Sequence, residues 1–252
     1  MVGSCEQAVV AGLPAIAFTE HLEFTAGGDG DAIAQVATDH RWWGRIKPLD
    51  VTGYMASIEV CRERFPGLRI LSGVEAGEPH LFSASAGAVV RGGGFDRVLG
   101  SLHAVPYQGR LVGADALFGS MSADDTMRYY FAELIRLIEG SDLFQVLAHL
   151  DFPRRYWPKG PHRYSEAPFE AEYRAVLAAL AASGRALEIN TKSPLASVDL
   201  VRWWREAGGT AVSFGSDAHL PGRVGDRFKL AVDVVEAAGF RPGRDPYDFW
   251  RG

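Results

Sequence analysis

Short apolar runs that end in histidine or carboxylate residues recur along the chain. Apolar runs of this length, bounded by turn residues, predict buried strands. The clearest covers residues 212–215 and is followed by Asp217 and His219. Four upstream runs, at 15–18, 70–74, 98–102 and 144–148, lead in the same way to His21, Glu75, His103 and His149. Five predicted strands therefore end in residues that can bind a metal ion.

Helical patterns lie between these strands. Apolar residues at helical spacing predict helices over residues 4–12 and 50–65, and further helices that start at Ser122 and Ser165. A sixth strand at 186–190 ends in Asn190, and no linker rich in Pro or Ser interrupts the pattern. Strands that alternate with helices predict a parallel sheet of α/β type. We therefore expect one domain over residues 1–252, folded as a barrel of strand and helix units.

The ends of the strands are the expected position of the chemistry. A parallel barrel gathers the carboxyl ends of its strands on one rim, where residues distant in sequence meet. A single histidine after a strand is more often a capped or solvated residue than a ligand, but five such ends on one rim favour a metal site. Imidazole and carboxylate groups without thiolate suit Zn, Mn or Fe, and Glu75 or Asp217 could bridge two ions.

Two loops on the same rim carry further candidates. The irregular segment 22–49 contains Trp42 and Trp43, which either hold a substrate or anchor a surface loop. The loop after Asp151 contains Arg154 and Arg155, which either bind a phosphate through their guanidinium groups or form a solvated basic turn. Connections from helix to strand are short by comparison, so the longer loops are on the ligand rim, where barrel enzymes have their active sites.

Composition narrows the class of substrate. The net charge of −5 and the pI near 5.8 give no basic surface for nucleic acid or for an anionic membrane, which favours a small molecule. Cys5 and Cys61 both fall in predicted helices, so a disulfide framework is not expected. The first residues lack the features of a signal peptide, and no apolar run of about 18 residues is present. We therefore expect a cytoplasmic protein.

The motifs at the strand ends resemble those of the polymerase and histidinol phosphatase (PHP) family, in the order of that family. The matching segments are Thr19-Glu20-His21, Gly73-Val74-Glu75, Gly100-Ser101-Leu102-His103, Ala148-His149-Leu150-Asp151, Glu188-Ile189-Asn190-Thr191 and Gly215-Ser216-Asp217-Ala218-His219. The resemblance implies a distorted (β/α)7 TIM-like barrel. It also implies that Glu75, His103 and His149 hold one ion, that Glu75 bridges to a second ion bound by Asp217, and that His21 and His219 contribute to a third.

One motif of the family is absent from the chain. The first strand of the family carries Asp-x-His-x-His, which does not occur here, and the chain opens on a predicted helix where a strand is expected. Both observations predict that a first strand is missing and that it precedes Met1. With that strand present, the resemblance implies a site for up to three divalent ions.

The chain length, the long loop after His21 and the Arg-bearing loop after Asp151 resemble the histidinol-phosphate phosphatase branch of the family. The resemblance implies metal-assisted hydrolysis of a phosphate monoester, with histidinol phosphate as the leading substrate and histidine biosynthesis as its context. Arg154 or Arg155 would neutralise the phosphoryl oxygens. The leaving group would take a proton from Asp151, Glu20 or water at the metal. The remaining predicted substrate contacts are Trp42, Trp43 and Asn190.

Two other functions remain open from the sequence. The first is a phosphodiesterase or exonuclease with the same metal chemistry, which the lack of a basic groove disfavours. The second is a barrel remnant that binds without catalysis because it lacks the first strand. Metal content distinguishes the remnant, which should purify with little or no metal.

Overall fold

A computed structural model of the chain describes residues 1–24, 27–33, 47–192 and 194–252. Strands and helices alternate along most of it. The strands are β1 (Ala15–Leu22), β2 (Arg69–Gly77), β3 (Arg97–Ser101), β4 (Ala104–Tyr107), β5 (Arg110–Gly113), β6 (Val146–Leu147), β7 (Ala186–Asn190), β8 (Ala211–Gly215) and β9 (Trp250–Arg251). The helices are α1 (Val2–Val10), α2 (Val51–Arg64), α3 (Ser83–Gly93), α4 (Ala123–Gly140), α5 (Glu170–Ala182), α6 (Val198–Glu206) and α7 (Phe228–Ala237).

Seven of these strands form one curled sheet in the order β1-β2-β3-β6-β7-β8-β9. The first six strands are parallel, and β9 pairs antiparallel with β8. The predicted α/β class and the six predicted strands are confirmed. Because all six strands run the same way, their carboxyl ends share one rim, as the sequence predicts.

The curled sheet forms a half-barrel rather than a closed ring. Among the described residues β1 pairs only with β2, and β8 pairs with β9 only through Ala211 and Val212. Most of β1 is correspondingly only partly buried or exposed. The parallel part of the sheet therefore has one free edge at β1 and another along residues 213–215.

Local signals explain where the helices begin. Ser122 caps α4 by accepting a hydrogen bond from the Asp125 amide, and Asp50 caps α2 in the same way through the Gly53 amide. The predicted apolar stripe of α4 is buried in the main core, and its members are Met127, Tyr130, Phe131, Leu134 and Ile138. The stripe is therefore part of the core.

Two local expectations need correction. The helix predicted from Ser165 begins at Glu170, after a 3₁₀ turn over Ala167–Phe169. The first turn is thus a 3₁₀ turn, which is frequent at the ends of α-helices. The structure also contains the β4-β5 hairpin, which the apolar pattern did not predict.

A second, smaller core lies beside β1. Helix α1 buries Cys5 and Ala8 there, against Ile58 and Cys61 of α2. The two cysteines are reduced in the structure. No helix among the described residues is long and apolar enough to cross a membrane.

Candidate metal centre

The carboxyl ends of β1, β2, β3 and β6 bring four predicted ligands together. His21 lies opposite Glu75 in the register of β1 and β2. His103 and His149 each follow the last residue of their strand by two positions. All but His21 are buried, with 8%, 5% and 3% of Glu75, His103 and His149 exposed.

Three of these side chains converge on a small triangle of donor atoms. Glu75 Oε1 lies 2.7 Å from His149 Nε2 and 3.3 Å from His103 Nε2. The two Nε2 atoms are 3.2 Å apart. Ligands at the usual zinc distances in a tetrahedral site are separated by about 3.4 Å. Two imidazole nitrogens and a carboxylate oxygen at these separations fit a divalent ion such as zinc.

The charges of the cluster favour the same interpretation. Burial alone raises the pKa of Glu75, but His103 and His149 outweigh it and hold that pKa well below its usual range. Burial lowers the pKa of His103, yet the carboxylates of Glu23 and Glu75 raise it well above the ordinary value. The carboxylates of Glu23 and Glu75 therefore supply the negative charge that a buried cation requires.

The second oxygen of Glu75 faces a different histidine. Glu75 Oε2 lies 3.6 Å from His21 Nδ1, whereas Oε1 belongs to the triangle. The rings of His21 and His219 have centroids 5.8 Å apart. Glu75 is thus placed between two groups of imidazoles, a position compatible with the predicted bridging role.

Asp217 is paired with cations. Arg155 Nη2 lies 2.8 Å from Asp217 Oδ2, and Lys192 Nζ lies 2.9 Å from Oδ1. Burial raises the pKa of Asp217, but Arg155 and Lys192 more than compensate and lower it. His219 Nδ1 lies 3.4 Å from Oδ1 on the exposed side of the carboxylate. Asp217 is therefore anionic and near both a predicted phosphate ligand and a predicted metal ligand.

The two arginines of the loop after β6 have different surroundings, and neither forms the solvated basic turn that the sequence left open. The side chain of Arg154 is only 14% exposed, and that of Arg155 is only 12% exposed. Arg154 Nη1 binds Asp151 and Glu166 at 3.1 and 2.9 Å. Asp151 Oδ2 also accepts a hydrogen bond of 3.1 Å from Tyr173. Arg154 thus belongs to a buried network that orders the loop, while Arg155 faces Asp217.

Asn190 lies at the rim, but its side chain is already hydrogen-bonded to other residues of the protein. Its Oδ1 accepts hydrogen bonds from Arg155 Nη2 at 3.1 Å and from the Lys192 amide at 3.0 Å. Its Nδ2 donates to Glu188 at 3.1 Å. Asn190 therefore orders the Arg155 guanidinium and the backbone at Lys192 in this structure. The other predicted substrate contacts, Trp42 and Trp43, lie outside the described residues.

The structure does not support Glu20 as a proton donor. Successive side chains of a strand point to opposite faces, so Glu20 is directed away from the face of β1 that presents His21. Burial raises the pKa of Tyr54, and the charge of Glu20 raises it further. Tyr54 lies on α2 and donates a hydrogen bond to the Phe18 carbonyl. Glu20 is therefore exposed on the outer side of β1.

Sequence reasoning gave no role to four residues of the site. Three are buried carboxylates, Glu23, Glu78 and Glu188, and the fourth is the cation Lys192. Glu23 could have been found, because it follows His21 by two positions and residues two apart on an extended segment share a face. Glu78 has a left-handed φ of 45° beyond the end of β2, and no spacing in the sequence predicts that turn.

Two of these carboxylates fix the backbone at the histidine ligands. Glu78 Oε1 accepts from the His103 and Ala104 amides at 2.7 and 2.9 Å. Glu188 Oε2 accepts from the His149 amide at 2.7 Å. Burial, with the charge of Glu23 next, raises the pKa of Glu78 to about 8. Gly215 leaves the necessary space beside Glu188, since a Cβ there would collide with Oε1.

Comparison with known proteins identifies relatives of this chain. The family model described as "PHP domain" matches residues 3–192. A "Probable histidinol-phosphatase" from Deinococcus radiodurans is 29% identical over 94% of this chain and 86% of its own length. The "Histidinol-phosphatase" of Lactococcus lactis is 25% identical over 93% of this chain and 83% of its own length.

Two solved structures share the fold. The histidinol phosphate phosphatase of Lactococcus lactis, crystallised with Zn, L-histidinol and phosphate, superposes with a TM-score of 0.76 at 23% identity. The matched region covers 95% of this chain and 87% of that one. A putative histidinol phosphatase from Listeria monocytogenes gives a TM-score of 0.72 at 17% identity, over 90% and 92% of the two chains.

Proposed function

We propose that this chain, which belongs to the PHP domain family, is a metal-dependent phosphomonoester hydrolase that acts on histidinol phosphate. The observation that carries the proposal is the triangle of Glu75, His103 and His149, whose donor atoms lie 2.7 to 3.3 Å apart. The relatives named as histidinol phosphatases support the choice of substrate.

The residues of the triangle would hold the first ion, and Glu75 would bridge to a second ion that Asp217 also binds. His21 and His219 would contribute to a third, for up to three ions of Zn, Mn or Fe. A divalent ion in such a site polarises a phosphoryl oxygen and lowers the pKa of water. The buried carboxylates Glu78 and Glu188 would keep the two histidine ligands in place through their backbone amides.

Arg155 and Lys192 are the cations we assign to the substrate phosphate. Both lie within 3 Å of the Asp217 carboxylate, at 2.8 and 2.9 Å, and thus at the rim of the predicted metal site. A guanidinium can bind two phosphoryl oxygens at once, and an ammonium adds a mobile point charge. Arg154 is assigned a supporting role, because Asp151 and Glu166 already occupy its guanidinium.

Proton transfer to the leaving alkoxide requires a group close to the scissile bond. Asp151 is the side chain we retain for this role, since it follows His149 by two residues and lies at the same rim. Trp42 and Trp43 remain candidates for the imidazole end of the substrate on the basis of the sequence. A cytoplasmic location likewise rests on the sequence.

One structural feature favours the alternative of a barrel remnant without catalysis. The described part of the sheet is open between β1 and β8, next to His21 and Asp217. The triangle does not depend on that region, since its three residues come from β2 and from the ends of β3 and β6. We therefore expect at least one ion to bind in the chain as it stands.

The function is tested by measuring phosphate release from histidinol phosphate by the purified protein with added zinc or manganese. A phosphate diester and a single-stranded oligonucleotide serve as competing substrates. Metal-dependent release from the monoester, with little from the others, is the expected result. Preference for the diester or the oligonucleotide would favour the nuclease alternative, and absence of both metal and activity would favour the remnant.

A further inference from the structure

The carboxylate of Glu23 is completely enclosed beside the metal site. Its side chain has no exposed surface, and Oε1 lies 2.7 Å from His103 Nδ1. The other oxygen, Oε2, has no hydrogen-bond partner. Gly77 provides the space for this oxygen, because a Cβ at that position would collide with it. A buried carboxylate is costly unless it is paired, so the contact with His103 accounts for its position.

His103 uses its two ring nitrogens for different partners. Nδ1 faces Glu23, whereas Nε2 faces Glu75 Oε1 and His149 Nε2 at 3.3 and 3.2 Å. A carboxylate can only accept a hydrogen bond, so the hydrogen of Nδ1 points to Glu23. The lone pair that remains for an ion is then on Nε2, which is the nitrogen within the triangle.

From this geometry we propose that Glu23 is a positioning residue for the metal centre. It holds His103 in the form that carries hydrogen on Nδ1, and so directs Nε2 to the ion. The inference rests on the metal-dependent function proposed above. Carboxylates that orient a histidine ligand in this way generally strengthen metal binding by 10–100-fold.

A direct ligand role for Glu23 is less compatible with the same contacts. The nearest nitrogen to Glu23 Oε1 belongs to His103, and that ring already presents Nε2 to the triangle. Binding of ions through both nitrogens would require an imidazole without hydrogen on either one. His21 Nδ1 is the other neighbour of Oε1, at 3.4 Å, and a shared ion there would make Glu23 a ligand.

The second histidine of the triangle provides an internal contrast. His149 Nδ1 is buried and has no hydrogen-bond partner, so no carboxylate orients this ring from the side away from the triangle. Its ring instead packs on Phe152 with centroids 4.9 Å apart, and its backbone amide is held by Glu188. Both rings contact Glu75 through Nε2, and of the two only His103 has a second carboxylate at Nδ1.

The test compares the variants Glu23→Gln and Glu23→Ala with Glu20→Gln in the full chain loaded with zinc. Glu20 is the matched control, because it lies three residues earlier, on β1, but faces outward. Zinc affinity and stoichiometry are measured by competition with a chelating dye. Nitrogen-15 NMR reports the hydrogen on His103 Nδ1, with the signal assigned by its loss in His103→Asn.

We expect Glu23→Ala to bind the same number of zinc ions 10–100-fold more weakly. The Nδ1 hydrogen signal of His103 should shift or exchange with water in that variant, and Glu23→Gln should show a smaller effect. Glu20→Gln should match the wild-type protein in both measurements.

Three results would overturn the proposal. Unchanged affinity with an unchanged His103 signal would make Glu23 irrelevant to the metal. Loss of one zinc equivalent with an unchanged His103 signal would make Glu23 a ligand. A wild-type protein that binds no zinc would overturn the metal-dependent function as well. Zinc binding by the wild-type protein therefore distinguishes failure of the proposed function from failure of the role proposed for Glu23.

Discussion

Arg155 Nη2 lies 2.8 Å from Asp217 Oδ2, so a candidate phosphate ligand is paired with a candidate metal ligand. The pair is mostly buried, with 12% and 14% of the two side chains exposed. Phosphate and a divalent ion carry the charges opposite to those of Arg155 and Asp217, respectively. Phosphate can therefore bind Arg155, and a metal ion can bind Asp217, in place of the contact between the two residues. This replacement leaves no net buried charge.

The contrast between Arg155 and Arg154 gives the first prediction. Arg155→Ala should lower kcat/KM for histidinol phosphate by an amount worth about 1.5–3 kcal/mol, the range for a hydrogen bond to a charged group. Its melting temperature should change little, because Lys192 still pairs with Asp217. Steady-state kinetics and thermal unfolding of the variant test both parts.

Arg154→Ala is the comparison variant for this experiment and should mainly reduce stability, with a smaller effect on kcat/KM through Asp151. It leaves Asp151 and Glu166 without their shared guanidinium, which should reduce the free energy of unfolding by about 2–3 kcal/mol. Unchanged kinetics in Arg155→Ala, together with reduced kcat/KM in a stable Arg154→Ala, would reverse the two assignments.

A second prediction concerns the metal content. His103→Ala should purify with less bound zinc or manganese, because it removes one corner of the buried triangle. His162→Ala is the control, since His162 is exposed and only its backbone carbonyl makes a described hydrogen bond. Elemental analysis of both variants tests the assignment. Equal metal content in the two variants would contradict it.

A third prediction concerns pH and Glu78. Burial, with the charge of Glu23 next, raises the pKa of Glu78 to about 8, above the ordinary value of 4.5. A carboxyl group with a raised pKa stabilises the folded state fully below its unfolded value. That contribution is lost as the pH rises through the folded value. The contribution of Glu78 to the free energy of unfolding should therefore fall progressively as the pH rises from 4.5 to 8.

Glu78→Gln removes this dependence and keeps an oxygen for the His103 and Ala104 amides. The variant should lose less stability than the wild-type protein between pH 5 and pH 8, as measured by urea unfolding. Glu139→Gln, at an exposed position of α4, should follow the wild-type curve. A Glu78→Gln curve parallel to the wild-type one would show that Glu78 does not carry this effect.

The strands and the histidine ligands could be predicted because both depend on local pattern. Apolar runs that stop at a turn place His103 and His149 at strand ends. Parallel pairing of the strands then brings these ends together on one rim. The β4-β5 hairpin was less visible, since its two-residue turn uses Gln108 and Gly109, both with positive φ. Asn-Gly is the usual sequence for such a turn, and Gln-Gly is a weaker signal.

Contacts between distant segments could not be predicted. Arg154 and Arg155 are neighbours in the sequence, but only the fold places one beside Glu166 and the other beside Asp217. The hydrogen bonds that the backbone amides of His103 and His149 donate to buried carboxylates also join residues 25 and 39 positions apart. Such contacts decide which charged groups are free to bind a ligand, and residue type alone does not reveal them.

The most direct test of the central claim is anomalous diffraction at the zinc absorption edge from crystals of the wild-type protein grown with zinc. The account predicts a peak within about 2.0–2.2 Å of Nε2 of His103, Nε2 of His149 and one oxygen of Glu75. A zinc peak elsewhere, with the triangle still closed by its own hydrogen bonds, would contradict the assignment of this centre.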